Sequence, residues 1–249
     1  MLHNGTPQDL VVDDPRATDM MVKDRLLYYA AKRLMDFVIS LALLVIFFPL
    51  MLLIALAISL YSPGPVFFVQ ERVGAIRRSH GRFTSWKQAT FHCYKFRTMH
   101  MNTDSSIHQE YVQALIENDK EKMRALQGEE TEVRKLTKDP RITRPGKLLR
   151  KLSLDELPQL WNVLRGDMSL VGPRPAIPYE IKLYKPWHLG RLQAQPGITG
   201  LQQVTARNAA DFDEQIRLDI EYIRKQSLWL DLWVMLRTPF VIISMRGAH

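Results

Sequence analysis

The chain has 249 residues, 46% of them hydrophobic and 24% charged, with one cysteine. That apolar content excludes a chain that is mainly disordered, and Cys93, having no partner, excludes a disulfide scaffold. The 34 Lys and Arg against 26 Asp and Glu leave a net charge of +8, which favours anionic partners: nucleic acid, lipid headgroups or phosphate substrates.

Residues 1–31 read as a polar, interfacial tail, and residues 32–61 as a membrane helix. From Phe37 to Leu60 there are 24 residues without a charge, long enough as helix to cross a bilayer core of about 30 Å. The run starts too late and extends too far for a signal peptide. A helix apolar on every face over this length is rarely the core of a soluble protein. Pro49 divides the run into two halves, each about 18 Å long, too short to span alone. Its flanks are equally basic: Lys23, Arg25, Lys32 and Arg33 before it, Arg72, Arg77 and Arg78 after it. The positive-inside rule expects a bias, so balanced flanks and a central proline favour a helix that enters and returns. A kinked span is the alternative.

Residues 62–249 follow as a catalytic domain. Ser62-Pro63-Gly64-Pro65 is a turn signal, Val66–Val69 a short strand, 74–92 a loop, and Phe91–Met99 a second strand. Residues 104–136 form a charged helical insertion whose apolar points are Tyr111, Leu115 and Met123, read as a solvated helix. A basic block, Arg141, Arg144, Lys147, Arg150 and Lys151, is either a solvated, headgroup-facing surface or a phosphate site. An amphipathic helix is expected over 209–226, with Phe212, Ile216, Ile220 and Ile223 on one side. A last helical segment, broken at Pro239, carries Trp229, Trp233, Leu236 and Phe240, a composition suited to a membrane interface. The whole reads as a mainly helical α+β chain with a small β element and interfacial amphipathic helices.

No Gly-rich phosphate loop, Cys-x-x-Cys or His-x-x-x-His motif is present. Residues 150–175 carry the chemistry instead. Pro158 argues against a helix beginning at Ser153, so Asp155 and Glu156 fall at a helix start, where carboxylates are simply favoured. Beside a basic block they also suit phosphate chemistry. Mg²⁺ takes one or two carboxylates plus substrate phosphates, and a carboxylate can attack phosphorus. Arg174, stiffened by Pro173 and Pro175, suits holding a guanidinium against a phosphate. Lys95 and Arg97 are further candidates.

Six blocks in order resemble the monotopic phosphoglycosyl transferases, the bacterial sugar transferases, over roughly residues 30–245. They are Lys32-Arg33-Leu-Met-Asp36-Phe, the proline-broken apolar helix, Tyr94-Lys-Phe-Arg-Thr-Met99, Leu152-Ser-Leu-Asp-Glu156, Trp161 through Pro175, and Pro196-Gly-Ile-Thr-Gly200. The resemblance implies a re-entrant helix with the catalytic domain on the cytoplasmic face of a bacterial inner membrane. It implies transfer of a sugar 1-phosphate from a UDP-sugar to polyprenyl (undecaprenyl) phosphate with release of UMP, initiating glycoconjugate assembly. Asp155 is then the nucleophile of a covalent phosphosugar intermediate and Glu156 its metal-side partner. Mg²⁺ is the cofactor, with Asp155 and Glu156 as its ligands. Arg150 and Arg174 bind phosphate, with Lys95, Arg97 and Arg207 as further substrate-binding residues. The expected partners are the UDP-sugar, the polyprenyl phosphate and membrane phospholipids; homodimerisation is left open and nucleic acid is not expected. Phe48 stands where family members often carry Ser before the proline, and Leu201 where they often carry Trp; Ala206-Arg207-Asn208 replaces a frequent Gly-Arg-Asn. The residues before the apolar run leave no room for the spanning helices of larger members. Two rivals remain: a lipid-diphosphate phosphatase using the same acids with water, and a membrane-tethered scaffold binding anionic lipid or nucleic acid.

Overall fold

The computed structural model describes residues 22–80, 83–101, 106–127, 141–205 and 211–244. Among these, helices dominate and two small sheets organise them. A two-residue strand β1 (Val22–Lys23) leads into α1 (Leu26–Tyr61), 36 residues or about 54 Å of helix. Pro49 lies inside α1 without ending it, which corrects the expectation of two separate halves: a proline forfeits one backbone bond, and the helix resumes beyond it.

The turn after α1 feeds a hairpin of β2 (Phe67–His80) and β3 (Phe83–Phe96), paired in register from Phe67 opposite Phe96 to His80 opposite Phe83. The order is β1-β3-β2, antiparallel throughout. Residues 74–92 are therefore mostly strand, not the expected loop. Next come α2 (Ser106–Glu117) and α3 (Lys120–Gln127), separated at Asn118, whose φ is +57°. This pair is not the solvated helix expected. Val112 and Ile116 join a core with Val73, Ile181, Leu189, Leu192, Phe212 and Ile216, while Tyr111 and Ala114 pack on Met123. Residues 128–136 of the expected insertion lie outside the described residues.

The basic block forms α4 (Arg144–Lys151). Thr143 caps it by accepting the Gly146 N–H at 3.0 Å. After a short 3₁₀ turn (Leu154–Glu156) come α5 (Gln159–Arg165) and β4 (Ser169–Val171). Then follow α6 (Pro178–Lys182), a 3₁₀ segment (Pro186–Leu192) and β5 (Gly197–Thr199), which pairs parallel with β4. The chain continues through α7 (Leu201–Thr205) and α8 (Phe212–Lys225) to α9 (Leu228–Ile243). The helix α8 buries Phe212 and Ile216 as its pattern predicts. Pro239 lies within α9, as Pro49 does within α1, so the expected break there is also corrected.

Both ends of α1 are fixed to the same body. Near its start, Lys32 forms a buried ion pair with Asp231 of α9 at 3.0 Å. Arg33 donates to the Val163 and Leu164 carbonyls at the last turn of α5, where a cation meets the negative end of the helix dipole. Asp36 accepts the Leu170 N–H of β4 at 3.0 Å. Towards its end, Ile54 and Ile58 pack on Phe96 and Leu149, and Arg97 donates to the Ser62 and Pro63 carbonyls, both at 2.7 Å. The middle is bare: Val45, Ile46, Phe48, Leu52 and Leu53 are all more than half exposed. On α9, Trp229, Leu236, Phe240 and Ile243 are likewise exposed. Apolar surface on this scale marks an interaction with something other than water.

Candidate active site

The carboxylates are set by three local devices. Thr98, just past β3, receives α4: its carbonyl accepts the Thr143 N–H at 2.9 Å, and its hydroxyl accepts from Arg150 Nε at 2.9 Å. The helix ends at Leu152, and Ser153 then adopts φ +54°, ψ 21°, a left-handed conformation that costs a non-glycine residue about 1 kcal/mol. That reversal throws Leu154–Glu156 into the 3₁₀ turn, and α5 begins only after Pro158, where a missing N–H is harmless. Third, the fully buried Asn162 of α5 clamps the free edge of β3. Its Oδ1 accepts the Tyr94 N–H at 3.1 Å, and its Nδ2 donates to the His92 carbonyl at 2.7 Å. Lys95 is thereby held beside the turn.

Asp155 is buried and Glu156 half-buried; Lys95 Nζ donates to Glu156 Oε1 at 2.6 Å. Burial raises the Asp155 carboxyl above its ordinary range, and the Glu156 charge raises it further, while Lys95 and Arg150 pull it back. Burial would also raise Glu156, but Lys95, Arg174 and Arg72 together outweigh it and hold the carboxyl at about 2. Adjacent carboxylates are thus driven apart: one firmly ionised, one more basic than usual. Such divergence is how neighbouring acids acquire different roles.

Of the residues expected from the sequence, Asp155, Glu156, Lys95, Arg150 and Arg174 converge. Arg174 is exposed, and its charge acts on Glu156. Arg97 is buried, with both terminal nitrogens engaged by the carbonyls after α1, so the phosphate-binding role expected of it gives way to holding the helix exit. Arg207 lies outside the described residues. No functional signal in the sequence marked Arg72, read there only as flanking charge. It is buried, donates to the Pro175 carbonyl at 3.0 Å and to Gln70 Oε1 at 2.7 Å, and acts on Glu156 electrostatically.

The coupling of Lys95 to Glu156 yields a measurable expectation. A depressed carboxyl contributes stability above its ordinary value of 4.5, and this is lost as pH falls towards 2. Lys95→Met removes the main group opposing burial, so in metal-free protein the Glu156 midpoint moves to higher pH, and Asp155, also lowered by Lys95, moves up with it. Isotope-edited infrared titration of the carboxyl bands reads both midpoints. Unchanged midpoints in Lys95→Met would show that Lys95 does not tune the pair.

The chain resembles known proteins over most of its length. The bacterial sugar transferase model matches residues 27–245. The chain is 40% identical over 218 residues to the undecaprenyl-phosphate galactose phosphotransferase of Salmonella typhimurium, covering 88% of this chain and 41% of that protein. It is 40% identical over 226 residues to the UDP-glucose:undecaprenyl-phosphate glucose-1-phosphate transferase of Caulobacter vibrioides, covering 88% and 72%. It is 36% identical over 219 residues to the exopolysaccharide production protein ExoY of Rhizobium meliloti, covering 88% of each. The chain thus spans about two fifths of the Salmonella relative and most of the Rhizobium one. With the match running from the start of α1 to beyond α9, the chain belongs to the bacterial sugar transferase family.

Proposed function

We propose that this chain transfers a sugar 1-phosphate from a UDP-sugar to undecaprenyl phosphate, releasing UMP, at the cytoplasmic face of a bacterial inner membrane. The observation that carries the reading is the Asp155–Glu156 pair, set among Lys95, Arg150 and Arg174 on a body to which both ends of an apolar helix are fixed. The names of the relatives in Salmonella and Caulobacter supply the substrate classes.

In this mechanism an Asp155 oxygen attacks the phosphorus that bears the sugar. An Asp155 O–P bond forms, the diphosphate bridge breaks, and the bridging oxygen leaves with UMP. A phosphate oxygen of the lipid then attacks the same phosphorus and frees the carboxylate. Two anionic substrates are so handled one at a time. Arg174, exposed and without a side-chain partner among the described residues, is placed to meet diphosphate charge, and Arg150 supports the turn from α4. The donor set also fits Mg²⁺. Two adjacent carboxylates are its usual protein share, the remaining positions going to water and phosphate oxygens. Asp155 and Glu156 would hold it, and bound there it supplies positive charge to the diphosphate.

The exposed middle of α1 and the exposed face of α9 support insertion into one leaflet. A helix with both ends docked on one body enters and returns from the same side. Cysteine labelling near Arg25 and near Arg77 should therefore report one side of the membrane; labelling from opposite sides would make α1 a kinked span.

Incubation with Mg²⁺, a panel of UDP-sugars and undecaprenyl phosphate tests the activity. Release of UMP that needs the lipid for sustained turnover supports transfer. Free inorganic phosphate would indicate a lipid-diphosphate phosphatase. Salt-sensitive binding of anionic vesicles with no product would indicate a scaffold.

A further inference from the structure

The loop that presents Arg174 is held with unusual completeness. Four successive carbonyls each accept a hydrogen bond: Pro173 from the Gly197 N–H at 2.8 Å, Arg174 from Arg191 Nη2 at 3.1 Å, Pro175 from Arg72 Nη1 at 3.0 Å, and Ala176 from the Val73 N–H at 2.8 Å. The outer two are main-chain bonds to β5 and β2. The inner two, on either side of the bond joining Arg174 to Pro175, come from buried arginine side chains. With a proline on each side of Arg174, the loop lacks the donors to extend a strand ladder here.

Arg191 is the better anchored of the two. It also donates to the Tyr184 hydroxyl at 3.0 Å, and it pairs with the buried Asp219 of α8 at 2.7 Å. A planar guanidinium can bridge a phenol, a carbonyl and a carboxylate together; an ammonium on a flexible stem cannot hold the same fork. Nothing in fold stability alone calls for two buried cations on the successive carbonyls of an exposed arginine and the proline after it. Buried ion pairs are on average weak contributors to stability, and their better-attested use is to fix geometry.

We propose that Arg191, seated on Asp219 and seconded by Arg72, is a positioning residue that fixes the Arg174 guanidinium against the donor diphosphate. This rests on the transferase reading given above. Arg191 touches no substrate; it acts through Arg174, so its contribution should vanish when the Arg174 guanidinium is absent.

The test is a double-mutant cycle on the full chain in nanodiscs, following UMP release with Mg²⁺, the active UDP-sugar and undecaprenyl phosphate. Arg191→Lys and Asp219→Asn should each lower kcat/KM about 10- to 100-fold, the scale on which a misplacement of about 1 Å costs a reaction. In an Arg174→Ala background the same changes should cost less than about threefold. Melting curves are recorded for every variant. Equal losses with and without Arg174, or no loss in either variant, would overturn the proposal. So would loss of the native melting transition in both Arg191→Lys and Asp219→Asn, which would make the pair a determinant of the fold. Failure of the wild-type chain to release UMP from any donor is a different result: it removes the transferase reading itself, and the positioning role with it.

Discussion

Asp155→Asn should lower turnover to background while leaving UDP-sugar binding largely intact. The substitution keeps the shape of the side chain in its buried turn and removes only the carboxylate that would form the bond to phosphorus. Lys95, Arg150 and Arg174, which supply the positive surroundings, are untouched. Rate losses on removing a covalent nucleophile run to several powers of ten, because the remaining groups can bind but not react. Omitting the lipid isolates the first half of the reaction. Wild-type protein with UDP-sugar should release up to one equivalent of UMP and gain the mass of a sugar phosphate on the peptide holding Asp155. Asp155→Asn should do neither. Glu156→Gln should slow both half-reactions while still forming the adduct, since Glu156 acts on charge and metal and not on the bond. If Asp155→Asn turns over and no adduct accumulates on wild-type protein, the transfer is direct and the pair serves only to position it.

How much of this was open to sequence reading follows the range of the interactions. The apolar run and the Leu-Ser-Leu-Asp-Glu segment are local; Pro158 was enough to move the expected helix start from Ser153 to Asp155 or later, while the structure starts α5 only after Pro158 and leaves both acids in the 3₁₀ turn before it. The hairpin was not local in this sense. A half-buried strand alternates, but β2 exposes Phe67, Phe68 and Val69 in succession and buries Arg72, Val73, Gly74 and Ala75 in succession. Its middle is covered where Val73 bridges to Ala176, while the side chains at its start are about half exposed, so no period of two survives in the pattern. The helices α2 and α3 misled for the opposite reason: their charges dominate the composition, while Val112, Ala114 and Ile116 fill two separate cores. Arg191 and Asp219 gave no sequence signal, Arg72 only that of a flanking charge, and Asn162 only its place in the block from Trp161 to Pro175. Each is defined by a partner remote in the chain, such as Asn162 and the β3 edge, and nothing adjacent to any of them announces it.

Lys32 and Asp231 should prove the most costly pair in the fold to break singly. Both are buried, Asp231 completely, and the carboxylate also accepts from the Tyr28 hydroxyl at 3.0 Å and the Tyr222 hydroxyl at 2.6 Å. Asp231→Ala takes the ion-pair partner from the buried Lys32 ammonium, leaving it the Tyr222 hydroxyl at 3.3 Å and the nearby charge of Asp36, a change that costs about 3–5 kcal/mol. Lys32→Met leaves the carboxylate with two hydroxyl donors and should cost less, since hydrogen bonds to a buried charge offset part of its desolvation. The combination Lys32→Met with Asp231→Ala removes both charges together, and its cost should fall well short of the sum of the single changes. Thermal unfolding of the four proteins in nanodiscs gives the cycle; additive losses would mean that the two groups do not interact. The consequence extends beyond stability. Lys32 stands one turn before Asp36 on the face of α1 that meets α9 and β4, at the end of the helix remote from Ile54 and Ile58. The entering end also keeps Arg33 on the carbonyls of α5 and Asp36 on the Leu170 N–H, so loss of the ion pair loosens that end without releasing it. Labelling near Arg25 should then become partly heterogeneous in Asp231→Ala, and more so when Arg33→Ala is added, while labelling near Arg77 stays on one side, because the buried ion pair is one of several contacts that hold the entering end to the catalytic body.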